Sequence, residues 1–318
     1  MLSFVMTDID GAEHTLTRPL SLTIRMDEDV PADDCYAVFA YREIGELSGV
    51  KVYDGDRLVF VGIVDEQEHF VGEEGRLLKI SARSLAAHLL DNETEPGCYS
   101  HPSASLIFER HVEPYGIRRI EDDDAVYYGE QAVNKGMSQW AVVKNFCSAC
   151  YSASPRVSAD GVLWMKGLPN AGEVVFSDTG GGITYTQISE TIKRCEEISR
   201  VNVKVSDDVG YAYQLDNSDA ILRGIRRERY LNAVLSSTPM TCADAMLQNG
   251  VDASYGVKLL CPGFLWDKLG FDAVVKNRLL GEKDDLYISG VTYCLDQNGG
   301  SSTLKLKRRK NRCGYQDM

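Results

Sequence analysis

Hydrophobic and polar residues alternate with a period of two along the first eighty positions, the signature of half-buried strands. Short runs rich in β-branched or aromatic residues occur at Leu2–Met6, Leu20–Met26 and Cys35–Tyr41. Val50–Tyr53 leads into Asp54-Gly55-Asp56, a hairpin turn signal, and Leu58–Val64 (LVFVGIV) follows with one interior glycine. Leu77–Ala82 reads as the next strand, and Ser84 opens a short helix, SLAAHLLDN. The pattern then changes. NETEPGCYSHPS, from Asn92, has the composition of a linker. Ser105–Tyr115 suits a helix ended by Gly116, and Ser138 caps a helix over Gln139–Tyr151 whose Trp140, Val143, Cys147 and Cys150 recur at helical spacing. Val157–Met165 reads as a hairpin turning at Asp160-Gly161. Beyond it, Glu173–Phe176, Val201–Val205 and Tyr211–Leu215 are strand-like, a helix is predicted over Ala243–Gln248 after a Thr241 cap, and the chain closes on a hairpin turning at Asn298-Gly299-Gly300. The expected fold is mainly β with an α+β insert: a first β-barrel domain over 1–91, the insert over 92–170, and a second β-barrel domain with a short helix over 171–318.

The two β sections share an order of features. Within Asp56–Arg83 (DRLVFVGIV onward) and Asp285–Arg308 (DLYISGVTY onward), Leu58 matches Leu286, Phe60 matches Ile288 and Gly62 matches Gly290. After a polar, glycine-containing turn, Leu78-Lys79-Ile80 meets Leu304-Lys305-Leu306, with a second turn two residues shorter. A glycine at the same point of two strands removes a side chain where the strand bulges, bends or approaches another backbone, as a sheet curling into a small barrel requires. Duplication explains this ordered match better than chance.

These segments, together with Ile198-Ser199-Arg200-Val201-Asn202-Val203-Lys204-Val205, Ala253-Ser254-Tyr255 and Cys261-Pro262-Gly263, resemble the hub proteins of phage tails and contractile injection machines: the Mu-type tail hub and the prophage tail proteins of the XkdQ/YqbQ type. The resemblance spans nearly the whole chain as architecture and strand pattern, with no invariant motif. It implies two tube-type barrels, a homotrimer, and a non-enzymatic adaptor between a hexameric tail tube and a central spike, with the tape measure and other baseplate proteins as neighbours. It implies residence in a virion or phage-like particle assembled from protein made in the bacterial cytoplasm, with DNA passing through the lumen but no specific nucleic-acid binding. The chain ends shortly after its second barrel, so the long C-terminal extension of some relatives is not expected.

Composition adjusts this picture in places. At 44% hydrophobic and 25% charged, 318 residues suffice for two or three cores. No run of 18 apolar residues exists, so membrane insertion is not expected, and the N-terminus lacks the basic start of a secretory signal. The net charge of −13 disfavours binding to phosphate backbones. Basic residues gather at Arg223–Arg229 and Lys305–Arg312, either as solvated faces or as a patch for an acidic partner. Nine scattered cysteines read as reduced thiols.

Candidate chemistry is thin. Cys147-Ser148-Ala149-Cys150 could be a redox pair or half a zinc site, but it lacks a second ligand pair and falls on an apolar helix face, which favours core packing. A cysteine peptidase would need a nucleophile near His14, His69, His88, His101 or His111, and only Cys35 and Cys98 precede any of these. Peptidoglycan cleavage by paired carboxylates is the alternative function; Glu93, Glu95 and Asp122–Asp124 sit near turns, as solvated loops do. A carbohydrate-binding β module is a further alternative, with only Trp140, Trp164 and Trp266 to stack on sugars. Asp178-Thr179-Gly180-Gly181-Gly182 has strand-like flanks and no following Lys, so it reads as a hairpin tip rather than a phosphate loop. No catalytic, cofactor or metal residues are expected. Interfaces do the work, with Leu58–Val64 and Leu286–Thr292 the candidate edges for extending a sheet into a neighbouring subunit.

Overall fold

The computed structural model describes residues 1–73, 75–119, 124–151, 153–169, 172–207, 209–233 and 239–308. Seven strands come first: β1 (Leu2–Asp8), β2 (Glu13–Thr17), β3 (Ser21–Asp27), β4 (Asp34–Ala40), β5 (Leu47–Asp54), β6 (Arg57–Gly72) and β7 (Gly75–Ser84). The middle section holds α1 (Ala86–Asp91), β8 (Gly97–Ser100), α2 (Ala104–His111), β9 (Arg118–Arg119), β10 (Glu130–Val133), α3 (Gln139–Tyr151), β11 (Arg156–Val157) and β12 (Val162–Trp164). There follow β13 (Glu173–Ser177), β14 (Gln187–Ile192), β15 (Arg200–Lys204), β16 (Tyr213–Asp216), α4 (Ser218–Leu222), β17 (Glu228–Asn232) and α5 (Pro239–Ser254). The last strands are β18 (Tyr255–Pro262), β19 (Asp272–Asn277), β20 (Gly281–Asp296) and β21 (Gly299–Arg308). The chain forms two compact units. The first is Met1–Val174 with Leu260–Phe271 and Ile288–Leu304; the second is Val175–Leu259 with Asp272–Tyr287 and the chain from Lys305 on. The fold is mainly β, with large antiparallel sheets and an α+β section in the middle of the chain, as expected.

In the first unit the strand order is β3-β4-β7-β6-β5-β1-β2, and the end of β20 adds to β3 through Gly290↔Asp27 to Leu295↔Leu22. The period-two pattern is the cause. Phe4 and Met6 of β1, Ala37 and Phe39 of β4, and Leu78 and Ile80 of β7 all point inward and are buried. Phe4 meets Phe39 edge to face at 4.9 Å. Each of these burials except that of Ala37 contributes roughly 1.5–3 kcal/mol. The sequence reading missed β2, whose sole buried residue is Leu16. A strand at the end of a sheet with one buried side chain leaves almost no alternation to read.

The α+β section packs on its own core of Leu89, Ile107, Val143 and Phe146. Ser138 caps α3 as predicted, its Oγ accepting from the Ala141 N–H at 3.2 Å. The predicted 105–115 helix is instead α2, capped by Ser103 and ending at His111, followed by a separate 3-10 turn over Glu113–Tyr115. Pro114 is the reason, because its ring and missing N–H cannot continue an α-helix. The supposed linker from Asn92 is also structured. Gly97–Ser100 pairs with β10, and Thr94 is buried.

Buried in this section, His111 is held on both nitrogens. Gln139 donates to the Glu93 carbonyl at 3.0 Å, which turns its Oε1 toward His111 Nδ1 at 2.6 Å. Nδ1 therefore donates, and Nε2 accepts from the Tyr99 hydroxyl at 3.0 Å. Burial holds the His111 pKa below its ordinary 6.5. The unfolded chain takes up this proton more readily than the folded one, so the stability that His111 contributes is present above pH ~6.5 and lost as pH falls. The stability advantage of the native protein over His111→Gln is expected to shrink between about pH 7 and pH 5, measured by urea unfolding across that range.

In the second unit β15 lies between antiparallel β16 and parallel β17. Val201 and Val203 pack with Ala243 and Leu247 of α5. The helix predicted over 243–248 runs from Pro239 to Ser254, so Thr241 lies inside it rather than capping it. Pro239 suits a first helical position, where its missing N–H costs nothing. Gly250, a helix breaker by composition, is present for closeness: a Cβ there would come within 2.9 Å of the Glu196 carbonyl oxygen.

The two hairpins aligned in sequence have equal strand lengths. β6 and β20 each have 16 residues, and β7 and β21 each have 10. The matched glycines do not share a place within them. Gly62 lies ten residues before the end of β6, and Gly290 six before the end of β20. The hairpins correspond in length, and β7 and β21 also in burial alternation, while the glycine register read from sequence is offset by four residues.

Candidate assembly surfaces

The strands proposed as interface edges lie within sheets. In β6, Gly49–Val52 of β5 pairs with Phe60–Ile63 on one side, and β7 joins the other side from Gly62↔Ser84 onward. In β20, Leu286 and Tyr287 pair with β19, and Gly290–Thr292 pair with β3. Sixteen-residue strands have the length to take different partners along their course. In the first unit, β2 ends the strand order.

Exposed apolar side chains concentrate in the second unit. Ile192, Leu222, Tyr230 and Leu279 are exposed, and Leu279 is 94% accessible. Leu279 and Leu280 cap the β19–β20 turn, where Asn277 Oδ1 accepts both of their N–H groups at 2.9 Å. Asp178 Oδ2 in turn accepts from Asn277 Nδ2 at 3.1 Å and from the Arg278 N–H at 3.2 Å. The Asp178–Gly182 run is thus a turn that braces this tip. Gly180 and Gly181 adopt positive φ there, and no helix follows to cradle a phosphate.

Segments 193–197 and 223–229 lie side by side. Arg194 donates to the Arg223 carbonyl at 2.7 Å, and Ser199 bonds the Arg227 backbone in both directions. Arg223 holds the buried Glu197 carboxylate with both guanidinium nitrogens, one of them at 2.7 Å. Glu228 accepts from Asn202 Nδ2 at 3.2 Å. Of the other basic run, Arg308 stacks on Tyr255 at 4.2 Å and pairs with Asp285 at 3.3 Å. Arg309–Arg312 lie outside the described residues.

The residues screened for chemistry fall apart in space. Cys147 is buried in the α+β core and Cys150 packs against it. Eight cysteines are free thiols, and Cys313 lies outside the described residues. Burial raises the Cys35 thiol pKa far above its ordinary value and that of Cys261 to about 11, which keeps both protonated. His14 binds Asp8, His69 binds Gln67, and His88 stacks on Tyr115. Asp124 accepts the Ser105 N–H at 3.0 Å in the first turn of α2, a capping contact that keeps its carboxyl below the ordinary range. Asp122 and Asp123 lie outside the described residues. Among the described residues, no group of three or more His, Cys, Asp or Glu could hold a metal, and no helix is long and apolar enough to cross a membrane. The buried ion pair Arg156–Asp33 was missed; its partners are 123 residues apart, and no local signal joins them.

No protein-family model matches the sequence, and no curated protein sequence does. Solved structures do. A tail protein from Neisseria meningitidis aligns at TM-score 0.77 and 15% identity, over 96% of each chain. The 43 kDa tail protein of prophage MuSo2 from Shewanella oneidensis aligns at TM-score 0.77 and 14% identity, over 96% of this chain and 97% of that one. A chain of the Francisella PdpA–VgrG complex aligns at TM-score 0.62 and 12% identity, over 98% of this chain and 52% of that one. The chain has the fold of these tail proteins over 96% of its length.

Proposed function

We propose that the chain is a structural hub of a phage tail or phage-like injection particle, without catalytic activity. The observation that carries this is the two-way coverage. A fold shared over 96% of both chains with a tail protein makes the likeness one of whole architecture rather than of a single module. The match to a chain of a VgrG complex supports an association with spike components. On this reading three copies form a closed ring, with a hexameric tail tube on one side and the central spike on the other, and the tape measure and other baseplate proteins nearby. Heterologous contacts between copies must either close into a ring or polymerise, and a ring suits a tube end. The equal-length hairpins β6–β7 and β20–β21 support a duplicated pair of barrels, which in a trimer would set six similar barrels around the axis. The division into 1–91, 92–170 and 171–318 belongs to the same proposal.

The test is a density map of the particle that carries this protein. Three copies around the tail axis, between tube and spike, are expected. Six copies, one copy, or a position outside the tail would overturn the proposal. Purified protein is also expected to release no fragments from peptidoglycan.

A further inference from the structure

The second unit carries more cations than counter-charges, and Arg229 donates only to a carbonyl oxygen, that of Glu228 at 3.1 Å. Segments 193–197 and 223–229 hold six Lys or Arg against three Glu, in a chain whose net charge is −13. Two of those carboxylates are already committed, Glu197 to Arg223 and Glu228 to Asn202. Arg226, Arg227 and Arg229 make no ion pair with any described carboxylate. In a chain so rich in acid, three arginines within four positions without a counter-charge are open to a partner.

Arg227 and Arg229 also line a groove of about 700 Å³ beside α5. Its apolar lining comes from Ile198, Ala245, Met246 and Ala253, and Glu196 is its one carboxylate. The walls are braced. Arg227 is held through its backbone N–H and C=O by Ser199 at 2.8 Å, and Arg229 lies on β17, paired with Val201. Gly250 lets α5 approach the 196–198 backbone closely. The arginines therefore stand on preorganised backbone, which lowers the ordering cost of binding.

We propose that this groove binds an acidic, partly apolar segment of a partner protein, with Arg227 and Arg229 on its carboxylates and Arg226 at the rim. Arginine forks match carboxylates in geometry, and such pairs gain strength where an apolar floor excludes water. A nucleic acid fits less well. None of the lining residues is aromatic, so unpaired bases have no stacking platform. This site is independent of the hub's place in the tail.

The experiment measures fluorescence anisotropy on the full chain with two labelled probes: a short peptide of alternating Glu and Leu, and a single-stranded DNA of equal charge. Saturable peptide binding is expected, weakened about tenfold or more in the Arg227→Glu/Arg229→Glu variant. Arg42→Glu, at an exposed position of the first unit, should leave it unchanged. Unaltered circular dichroism and thermal unfolding would show that the double variant folds, and Arg227→Gln/Arg229→Gln serves where charge reversal does not. No peptide binding, equal binding by the arginine variants, or tighter binding of the DNA through the same arginines would each overturn the proposal.

Discussion

Replacing either member of the Arg156–Asp33 pair is expected to destabilise the protein by about 3–5 kcal/mol, the cost of leaving one buried charge without its partner. Arg156 is 4% exposed and Asp33 3%. Besides the Asp33 carboxylate, the guanidinium donates to the Asp27 carbonyl at 2.8 Å and the Val30 carbonyl at 3.0 Å. Asp33 is fixed from the other side, its N–H donating to Ser84 Oγ at 3.0 Å. One guanidinium thus ties the start of β11 to the β3–β4 loop and, through Asp33, to the end of β7. Burial outweighs the attraction of Arg156 and pushes the Asp33 carboxyl up to about 6. For a carboxyl raised in this way, the stability it contributes is fully present below its ordinary 3.8 and is lost as pH rises through about 6. At neutral pH the ionised pair therefore fixes how the segments meet rather than adding net stability. Asp33→Asn and Arg156→Met should each lower the urea midpoint sharply, while the double variant should recover much of the loss. A double variant as unstable as the two single losses added together would show that the pair is not coupled.

Gly62→Ala is the second large effect, at about 3 kcal/mol or more, the upper end of overpacking costs. A Cβ at this position would overlap the Arg83 carbonyl oxygen and reach within 2.8 Å of the Phe60 ring. Neither neighbour can move freely. Arg83 is backbone within β7, bonded across to Ile63, and Phe60 is 1% exposed in the core. Gly290→Ala should cost less, because its Cβ would first meet Asp27 Oδ2 at 2.9 Å, a side-chain atom rather than backbone, though moving it disturbs the bond that Asp27 Oδ1 accepts from the Asp29 N–H at 3.0 Å. Gly45→Ala supplies the contrast: with nothing within 4 Å of its Cβ, it should be neutral or gain roughly 0.4–1 kcal/mol from a less flexible unfolded chain. Thermal unfolding of the three variants checks the order. Equal losses at Gly62 and Gly45 would contradict the close approach.

Much of this was legible along the chain, because period-two and period-3.6 patterns are local. The strands from Leu2 to Ser84 other than β2, the Ser138 cap on α3 and the hairpin at Asp160-Gly161 follow from side chains within a few residues of one another. The mainly β class was likewise read from the residues alone. Partners distant in sequence were not legible. The sequence marked Gly62 as a place of close approach without showing that Arg83 is the neighbour, and it aligned Gly62 with Gly290 although they sit at different points of equal hairpins. It marked Arg223–Arg229 as basic without showing that Glu197 and Asn202 occupy part of the cluster while Arg227 and Arg229 face a groove. Arg156 and Asp33 gave no sign of each other, and the residues from Gly97 to Ser100 read as linker until β10 paired with them. Local pattern decides which segments bury which face. Which charge meets which, and which strand lies inside a sheet, depends on contacts closed over spans from 26 residues, as for Glu197 and Arg223, to 123, as for Asp33 and Arg156, and only the tertiary structure decides those.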